Sequence, residues 1–239
     1  MATNDAYPLF NGKQPMKRFL LLVLLFVGMA TAFGQGNLCP DKNHPHMIDL
    51  GLPSGTKWAC CNVGARTPTD YGGLYAWGEA TTKKDYSLST YKNAYKSRNG
   101  QGMWDFHHDT GYWQVKDLGK CISGSDYDAA HTLWKGTWQL PNHEQFKELL
   151  KYCSYQWKNV NGVYCGVFTS PNGAYIILPA AGAYRYAECI YRGETGFYWS
   201  GSRTIDEQLV ACYLYFDEEE AYEADHARER GHSIRPVCK

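Results

Sequence analysis

The chain has 239 residues, enough for one domain or at most two. Hydrophobic residues make up 44% and charged residues 20%, which is typical of a folded globular protein and excludes a chain that is disordered throughout. The 24 Lys and Arg equal the 24 Asp and Glu, so the chain lacks the excess positive charge that nucleic acids and anionic membranes attract, and we expect no nucleic-acid partner.

The first 33 residues predict an N-terminal extension followed by a secretory signal peptide. Met16 is followed by Lys17 and Arg18 and then by an apolar or small-residue run over 19–33. That run is shorter than the roughly 20 apolar residues of a membrane span. We therefore expect an exported protein, located in the periplasm, at the cell surface or outside the cell, with no transmembrane span in the mature chain. Either Met1 or Met16 could be the start.

The cysteines all follow the signal peptide: Cys39, Cys60, Cys61, Cys121, Cys153, Cys165, Cys189, Cys212 and Cys238. In an exported protein some should form disulfides, and an odd number leaves at least one free or paired between chains. Burial as small apolar residues is the alternative for several of them. The adjacent Cys60 and Cys61 are predicted to point to opposite faces of a strand. No C-x-x-C motif is present, so a zinc site is not expected.

The first half of the mature chain predicts short strands and one long loop. After a polar lead-in over 34–46, the segment MIDLGLPSGTKWACCNVGA predicts a strand, a Pro-Ser-Gly turn and a second strand. YGGLYAWGEAT predicts a further short extended piece. Residues 92–125 are rich in Lys, Asn, Gly, Asp and His and predict a long irregular insertion.

Two helices are predicted next. SDYDAAHTLWK predicts a helix capped by Ser125 or Asp126. In TWQLPNHEQFKELLKYC, Asn142 is the predicted cap and Gln145 lies three residues later, as in a capping box. Apolar residues recur behind this cap at helical spacing: Phe146, Leu149, Leu150 and Cys153.

Beyond Cys153 the apolar pattern alternates with a period of two, which predicts strands. YQWKNV, GVYCGVFTS and AYIILPAAGAY are separated by Asn161-Gly162 and Asn172-Gly173, which predict tight hairpin turns. FYWSGS, LVACYLYF, AYEADH and HSIRPV predict the remaining strands. The acidic run 217–220 predicts a solvated hairpin turn rather than a cation site.

Alternation along 209–216 predicts a strand with two different faces. The even positions are apolar and are expected to face the core: Val210, Cys212, Leu214 and Phe216. The odd positions end in Tyr213 and Tyr215. Tyrosine has an apolar ring and a polar hydroxyl and suits a partly solvated surface, so we expect these two side chains to be exposed. A sheet-rich core is the alternative explanation for the 19 Tyr and 8 Trp of the chain.

Six segments occur in an order that resembles the Fibrobacter succinogenes major paralogous domain family of Bacteroidota. They are DLGLPSGTKWACCNVGA, YAWGEAT, DAAHTLWKGTWQLPNHEQFKELL, YIILPAAGAY, GFYWSGS and GHSIRPV. The family is similar to the C-type-lectin-like fold of the formylglycine-generating-enzyme group and of retroelement-diversified variable proteins. The resemblance covers nearly the whole mature chain and implies a single domain over 47–239.

The implied fold class is α+β, with compact antiparallel sheets, two flanking helices and terminal strands that lie together. The resemblance places Trp199 and Ile234 in the core and assigns Arg235 to tying the end strands. The sequence does not fix the disulfide partners, and the expected closeness of the termini makes Cys39 with Cys238 one candidate pair. The implied ligand surface spans 203–231 and the preceding hairpin, with these exposed candidates: Tyr184, Tyr186, Arg203, Asp206, Tyr213, Tyr215, Tyr222, His226 and Arg228. The Glu-Pro-Asn, Gln-Pro-Asp and Trp-Asn-Asp motifs of calcium-dependent lectins are absent, so calcium-dependent sugar binding is not expected.

No catalytic or metal-binding motif is found. Ser200 follows Tyr198-Trp199 where a hydrolase nucleophile requires Gly, and the paired histidines at 44 and 46 and at 107 and 108 are interpreted as loop residues. We therefore expect no catalytic residue, no metal and no cofactor. The leading hypothesis is an exported, non-catalytic binding module that recognises a protein or glycan through its Tyr-rich C-terminal face. The alternative is a structural component of a cell-surface assembly, and the third is an enzyme related to the formylglycine-generating group.

Overall fold

The computed structural model describes residues 46–105, 108–204 and 207–239, all within one compact unit, Leu38–Lys239. The predicted signal peptide, Cys39 with its predicted partnership, and the candidate Asp206 lie outside the described residues. Within the described part of the chain, no helix is long and apolar enough to cross a membrane.

The described residues form fourteen strands and two α-helices. In chain order these are β1 Met47–Asp49, β2 Lys57–Ala59, β3 Ala94–Lys96, β4 Met103–Trp104, β5 Tyr112–Val115, α1 Ala129–Trp134, α2 His143–Tyr152, β6 Ser154–Val160, β7 Val163–Thr169, β8 Tyr175–Pro179, β9 Ala183–Arg185, β10 Glu188–Ile190, β11 Gly196–Arg203, β12 Val210–Phe216, β13 Ala221–Ala227 and β14 Val237–Cys238. The strands pair antiparallel in five small sheets, β1-β2-β14, β3-β5-β4, β6-β7-β8, β9-β10 and β11-β12-β13. Antiparallel sheets with two helices agree with an α+β or mostly-β fold.

The predicted N-terminal cap is confirmed for α2, whereas the predicted cap of α1 was wrong. The Asn142 side chain accepts from the Gln145 N–H, and the Gln145 side chain accepts from the Asn142 N–H, which completes the predicted capping box. The cap of α1 is Asp128, so the prediction of Ser125 or Asp126 was wrong. Asp128 is buried and accepts four backbone N–H bonds, two from α1 and two from the flanking residues 124 and 140.

Both predicted Asn-Gly turns are present, with different lengths. Asn161 and Gly162 form a two-residue turn between β6 and β7, with φ of 53° and 86° as mirror-image hairpin turns require. Asn172-Gly173 lies in the longer connection 170–174, where the Gly173 N–H donates to the Ser170 carbonyl at 2.9 Å.

Two other sequence predictions need correction. The predicted irregular insertion contains β3, β4 and β5, a small sheet of its own. Strand β2 ends at Ala59, so Cys60 and Cys61 follow the strand instead of lying on its two faces, and both are buried.

The cysteines Cys121, Cys153, Cys165, Cys189, Cys212 and Cys238 are free thiols, and Cys121 is exposed. Burial raises the pKa of Cys153 to about 11 and that of Cys165 to about 12. These two thiols therefore serve as small apolar residues of the core.

The sheet β11-β12-β13 is packed on both faces, which overturns the predicted exposure of Tyr213 on β12 but leaves Tyr215 partly accessible. Leu214 and Phe216 join a core cluster around Trp58 and Phe146. On the other face, Ala211 and Tyr213 join a second cluster, with Trp77, Ile122 and Trp199. The even set is only partly as predicted, since Val210 and Cys212 are half-buried.

Arg235 joins the segment before β14 to the residues that end and follow β2 and to β8. Its side chain is fully buried and donates to the carbonyls of Ala59, Cys60 and Ile177 at 2.8–3.2 Å and to Asn62 Oδ1 at 3.0 Å. Strand β14 follows at once and pairs with β2, so the strands near the two ends lie together. Trp199 and Ile234 are in the core, as expected.

Candidate functional site

Tyr213 does not belong to an exposed face. Only 8% of it is accessible, and its ring lies 5.7 Å from Phe197, 5.6 Å from His226 and 4.9 Å from His232. Burial raises the pKa of its hydroxyl to about 12. The predicted exposure of Tyr213 was therefore wrong, because neighbouring rings of β11 and β13 and the His232 ring from the segment after β13 pack around it.

Arg228 is also buried, contrary to the prediction. Its Nη1 donates to the carbonyls of Lys116 and Gln208, at 3.1 and 2.9 Å, and its guanidinium lies 4.4 Å from the centre of the Trp77 ring. A cation over an indole is an attractive arrangement. Arg228 thus holds the segment after β13 against the loop around Trp77 and is not available to a ligand.

Three further candidates are half-buried and engaged within the fold. The Tyr184 ring stacks on Tyr86 at 5.0 Å. Tyr186 has the guanidinium groups of Arg185 and Arg230 over its ring at 5.5 and 5.2 Å. Arg203 donates to the carbonyls of residues 119 and 204. These three side chains stabilise contacts within the fold, and only their partly accessible edges are left for a contact surface.

His226 forms a pair with His232 behind the sheet. His226 Nδ1 lies 3.0 Å from His232 Nε2, and the His232 ring stacks on Trp199 at 3.9 Å. Burial, together with the positive charges of Arg230 and Arg185, lowers the pKa of His226 to about 4, and burial holds that of His232 well below its usual value. The pair is therefore uncharged at neutral pH. It lies at the edge of the core, with His232 fully buried and His226 half-buried.

Tyr215 and Tyr222 are the accessible part of the predicted face. They are opposite one another on β12 and β13, with ring centres 4.8 Å apart, and Tyr222 is 41% exposed. The Tyr215 hydroxyl donates to Asp217 Oδ2 at 2.7 Å. This bond connects the tyrosine pair to the acidic turn that follows β12.

Beside this turn lies a cleft of about 600 Å³, which we call the aromatic cleft. It is lined by Trp157, Tyr164, Tyr191, Gly193, Glu194, Thr195, Asp217, Glu218 and Glu219. Its volume is within the range of small-molecule and side-chain binding sites. Three separate segments of the chain form it: the β6–β7 hairpin, the loop after β10 and the β12–β13 turn.

One wall of the aromatic cleft is a stacked aromatic pair. Trp157 on β6 and Tyr164 on β7 have ring centres 5.6 Å apart and planes only 6° from parallel. Trp157 also lies 6.3 Å from Phe216, so the core supports it from behind, whereas Tyr164 is 46% exposed. A rigid, partly solvated aromatic surface of this kind is typical of ligand contacts.

A second wall is Tyr191, which is 55% exposed and lies 6.4 Å from Phe197. Its φ of 57° is unusual for a bulky residue. The Tyr191 carbonyl accepts from the N–H groups of Glu194 and Thr195, at 3.1 and 3.0 Å. This tight turn holds the ring at the mouth of the aromatic cleft.

The acidic turn forms the third side. Asp217 Oδ1 accepts from the N–H groups of Glu219 and Glu220, at 2.9 and 3.0 Å, and the Tyr155 hydroxyl donates to the Asp217 carbonyl. Burial opposes ionisation of Asp217, but the hydrogen bonds from Tyr215 and from these backbone groups outweigh it and lower its pKa. The predicted hairpin turn is confirmed, and it presents a fixed, ionised carboxylate. No three His, Cys, Asp or Glu among the described residues are arranged to hold a metal ion.

Sequence reasoning missed Trp157, Tyr164, Tyr191 and Glu194. One signal for the first two was available. The two-residue turn pairs Trp157 with Gly166 and Asn159 with Tyr164, which places the two rings diagonally on one face of the hairpin. No local pattern indicated that the loop after β10 would meet this hairpin.

Chemically, the arrangement combines π faces with carboxylates, which suits non-covalent binding.

Comparison of the chain with family models, with curated proteins and with solved structures finds no match.

Proposed function

We propose that the chain is an exported, non-catalytic binding module of the Fibrobacter succinogenes major paralogous domain family, with a C-type-lectin-like fold. The six ordered sequence segments support the family, and the antiparallel sheets, two helices and adjacent terminal strands are compatible with the fold. The basic head and apolar run at 16–33 support export.

The ligand, a protein or glycan, contacts the aromatic cleft and the adjoining pair Tyr215 and Tyr222. The observation that carries this proposal is the exposed aromatic surface of the cleft, in whose lining Tyr164 is 46% and Tyr191 55% accessible. Large rings that are already held in place lose little conformational entropy on binding and contribute strongly to interfaces. A monomer gains nothing in stability from leaving such rings in water.

The test begins with an array of proteins and glycans probed with the purified chain. Any ligand found is then titrated against Tyr164→Ala and Tyr191→Ala, with Tyr127→Ala as the matched control. Tyr127 is 43% exposed and does not line the cleft. We expect capture to be lost in the two cleft variants and retained in the control. Equal capture by all three variants would contradict the assignment of the binding surface.

A structural role in a cell-surface assembly is the second candidate, favoured by two observations. Cys121 is an exposed thiol, and among the described residues β13 pairs only with β12, so it is an edge strand of its sheet. Sizing the purified chain with and without reductant, beside Cys121→Ser, tests this role. A monomer under every condition would exclude disulfide-linked or edge-to-edge assembly.

A further inference from the structure

The ligand class of the aromatic cleft can be narrowed from its charge. Its described lining contains four carboxylates, those of Glu194, Asp217, Glu218 and Glu219, and no Lys, Arg or His. The three glutamates are exposed, and none forms an ion pair with a basic side chain in the described part of the chain. The lining therefore carries an uncompensated negative charge in a protein whose total charge is balanced.

The nearest basic residues in the sequence do not neutralise this charge. Arg192 follows Tyr191, but its guanidinium lies over the Tyr71 ring at 5.4 Å and its Nε points to the Ala181 carbonyl at 3.4 Å. Lys158 follows Trp157 on β6, and successive side chains of a strand point to opposite faces. Both cations thus lie away from the cleft lining.

The aromatic walls favour the same sign of charge in a ligand. The faces of Trp157, Tyr164 and Tyr191 carry the negative side of the ring quadrupole, which attracts ammonium and guanidinium groups. Because carboxylates surround these rings, an anion would be repelled by both kinds of group. We infer that the aromatic cleft binds the Lys or Arg side chains of a basic segment in a protein partner. This inference rests on the proposed function, because it names the ligand class of the same cleft.

A basic peptide fits this lining better than a neutral glycan does. Carboxylates accept hydrogen bonds from sugar hydroxyls and from Lys or Arg side chains alike, but only the cationic side chains also neutralise their charge. Lysine and arginine side chains only donate, and their apolar stems can lie along aromatic rings. Asp217 is already fixed by three hydrogen bonds, so no ordering of that carboxylate is needed when a cation arrives.

The probe is a fluorescein-labelled peptide of four lysines separated by glycines, with the corresponding glutamate peptide and a neutral glucose oligosaccharide as comparisons. Binding to the purified full chain is followed by fluorescence anisotropy for the peptides and by calorimetry for the sugar. The charge variant is Glu194→Gln with Glu218→Gln and Glu219→Gln. The matched control removes three exposed acidic charges that do not line the cleft: Asp126→Asn, Glu144→Gln and Glu207→Gln.

We expect the lysine peptide alone to bind, with an affinity that falls as salt rises. The charge variant and Tyr164→Ala should each weaken it about tenfold or more, and the control should leave it unchanged. No binding of the lysine peptide, or equal loss in the charge variant and the control, overturns the inference. If the sugar binds and depends on Tyr164 but not on the glutamates, the cationic ligand is wrong and the binding module stands. If no array ligand depends on Tyr164 or Tyr191, the proposed function also fails.

Discussion

Replacing Tyr213 with Ala should destabilise the fold strongly. The side chain is 92% buried, being 8% accessible, and its ring lies within 6.2 Å of those of Phe197, Trp199, His226 and His232. Removing a large aromatic side chain from such a site costs about 3–4 kcal/mol, since the buried area and the packing contacts are both lost. For a domain of this size the melting temperature should fall by about 6–16 °C.

The assay is urea unfolding followed by tryptophan fluorescence and far-ultraviolet circular dichroism, with Tyr222→Ala as the matched control. Tyr222 is another strand tyrosine of the same sheet, but it is 41% exposed, so its loss should cost less than about 1 kcal/mol. Tyr213→Phe keeps the ring and should also stay within about 1 kcal/mol of the unchanged protein.

A Tyr213→Ala variant that unfolds at the same urea concentration as Tyr222→Ala would refute this reasoning. It would mean that the neighbouring rings and His232 do not bury Tyr213, and that the exposure predicted from strand alternation is correct.

Other consequences can be measured in the same way. Because the folded-state pKa of His226 is lowered to about 4, the unfolded chain takes up its proton first, and stability should fall as pH drops from about 6.5 towards 4; His226→Gln should remove part of that slope in urea midpoints measured against pH. Arg235→Met leaves four buried acceptors without their donor and should cost about 3–5 kcal/mol by urea unfolding, a value that a loss under 1 kcal/mol would contradict. Asn142→Ala breaks the capping box and should cost about 1 kcal/mol, with faster amide exchange in the first turn of α2; unchanged exchange there would contradict the role of the cap.

Sequence reasoning predicted well those features whose interacting residues lie within a few positions of one another in the chain. The Asn142 capping box and the Asn161-Gly162 turn depend on side chains three positions apart or fewer, so one window of sequence contains the whole interaction. At α1 the same logic offered Ser125 or Asp126 as the cap. Asp128 is the cap because its second oxygen also receives the N–H of Leu140, a contact that local rules do not contain.

The candidate site was harder to predict because its parts are far apart in the chain. Alternation correctly separated Tyr213 and Leu214 onto different faces of β12, but it cannot tell which face another segment will cover. The rings around Tyr213 lie on β11, on β13 and, for His232, on the segment after β13. The aromatic cleft is likewise formed by three segments, 157–164, 191–195 and 217–219. No pattern in a single sequence shows that three such distant segments lie together.

Residues 231–238 are all buried, and this determines when the domain can fold during its synthesis. Strand β14 and Arg235 complete contacts with segments made at the start of the domain, so a nascent polypeptide cannot close its interior while residue 238 is still inside the ribosomal tunnel. The interior of this domain therefore closes only after residue 238 has emerged.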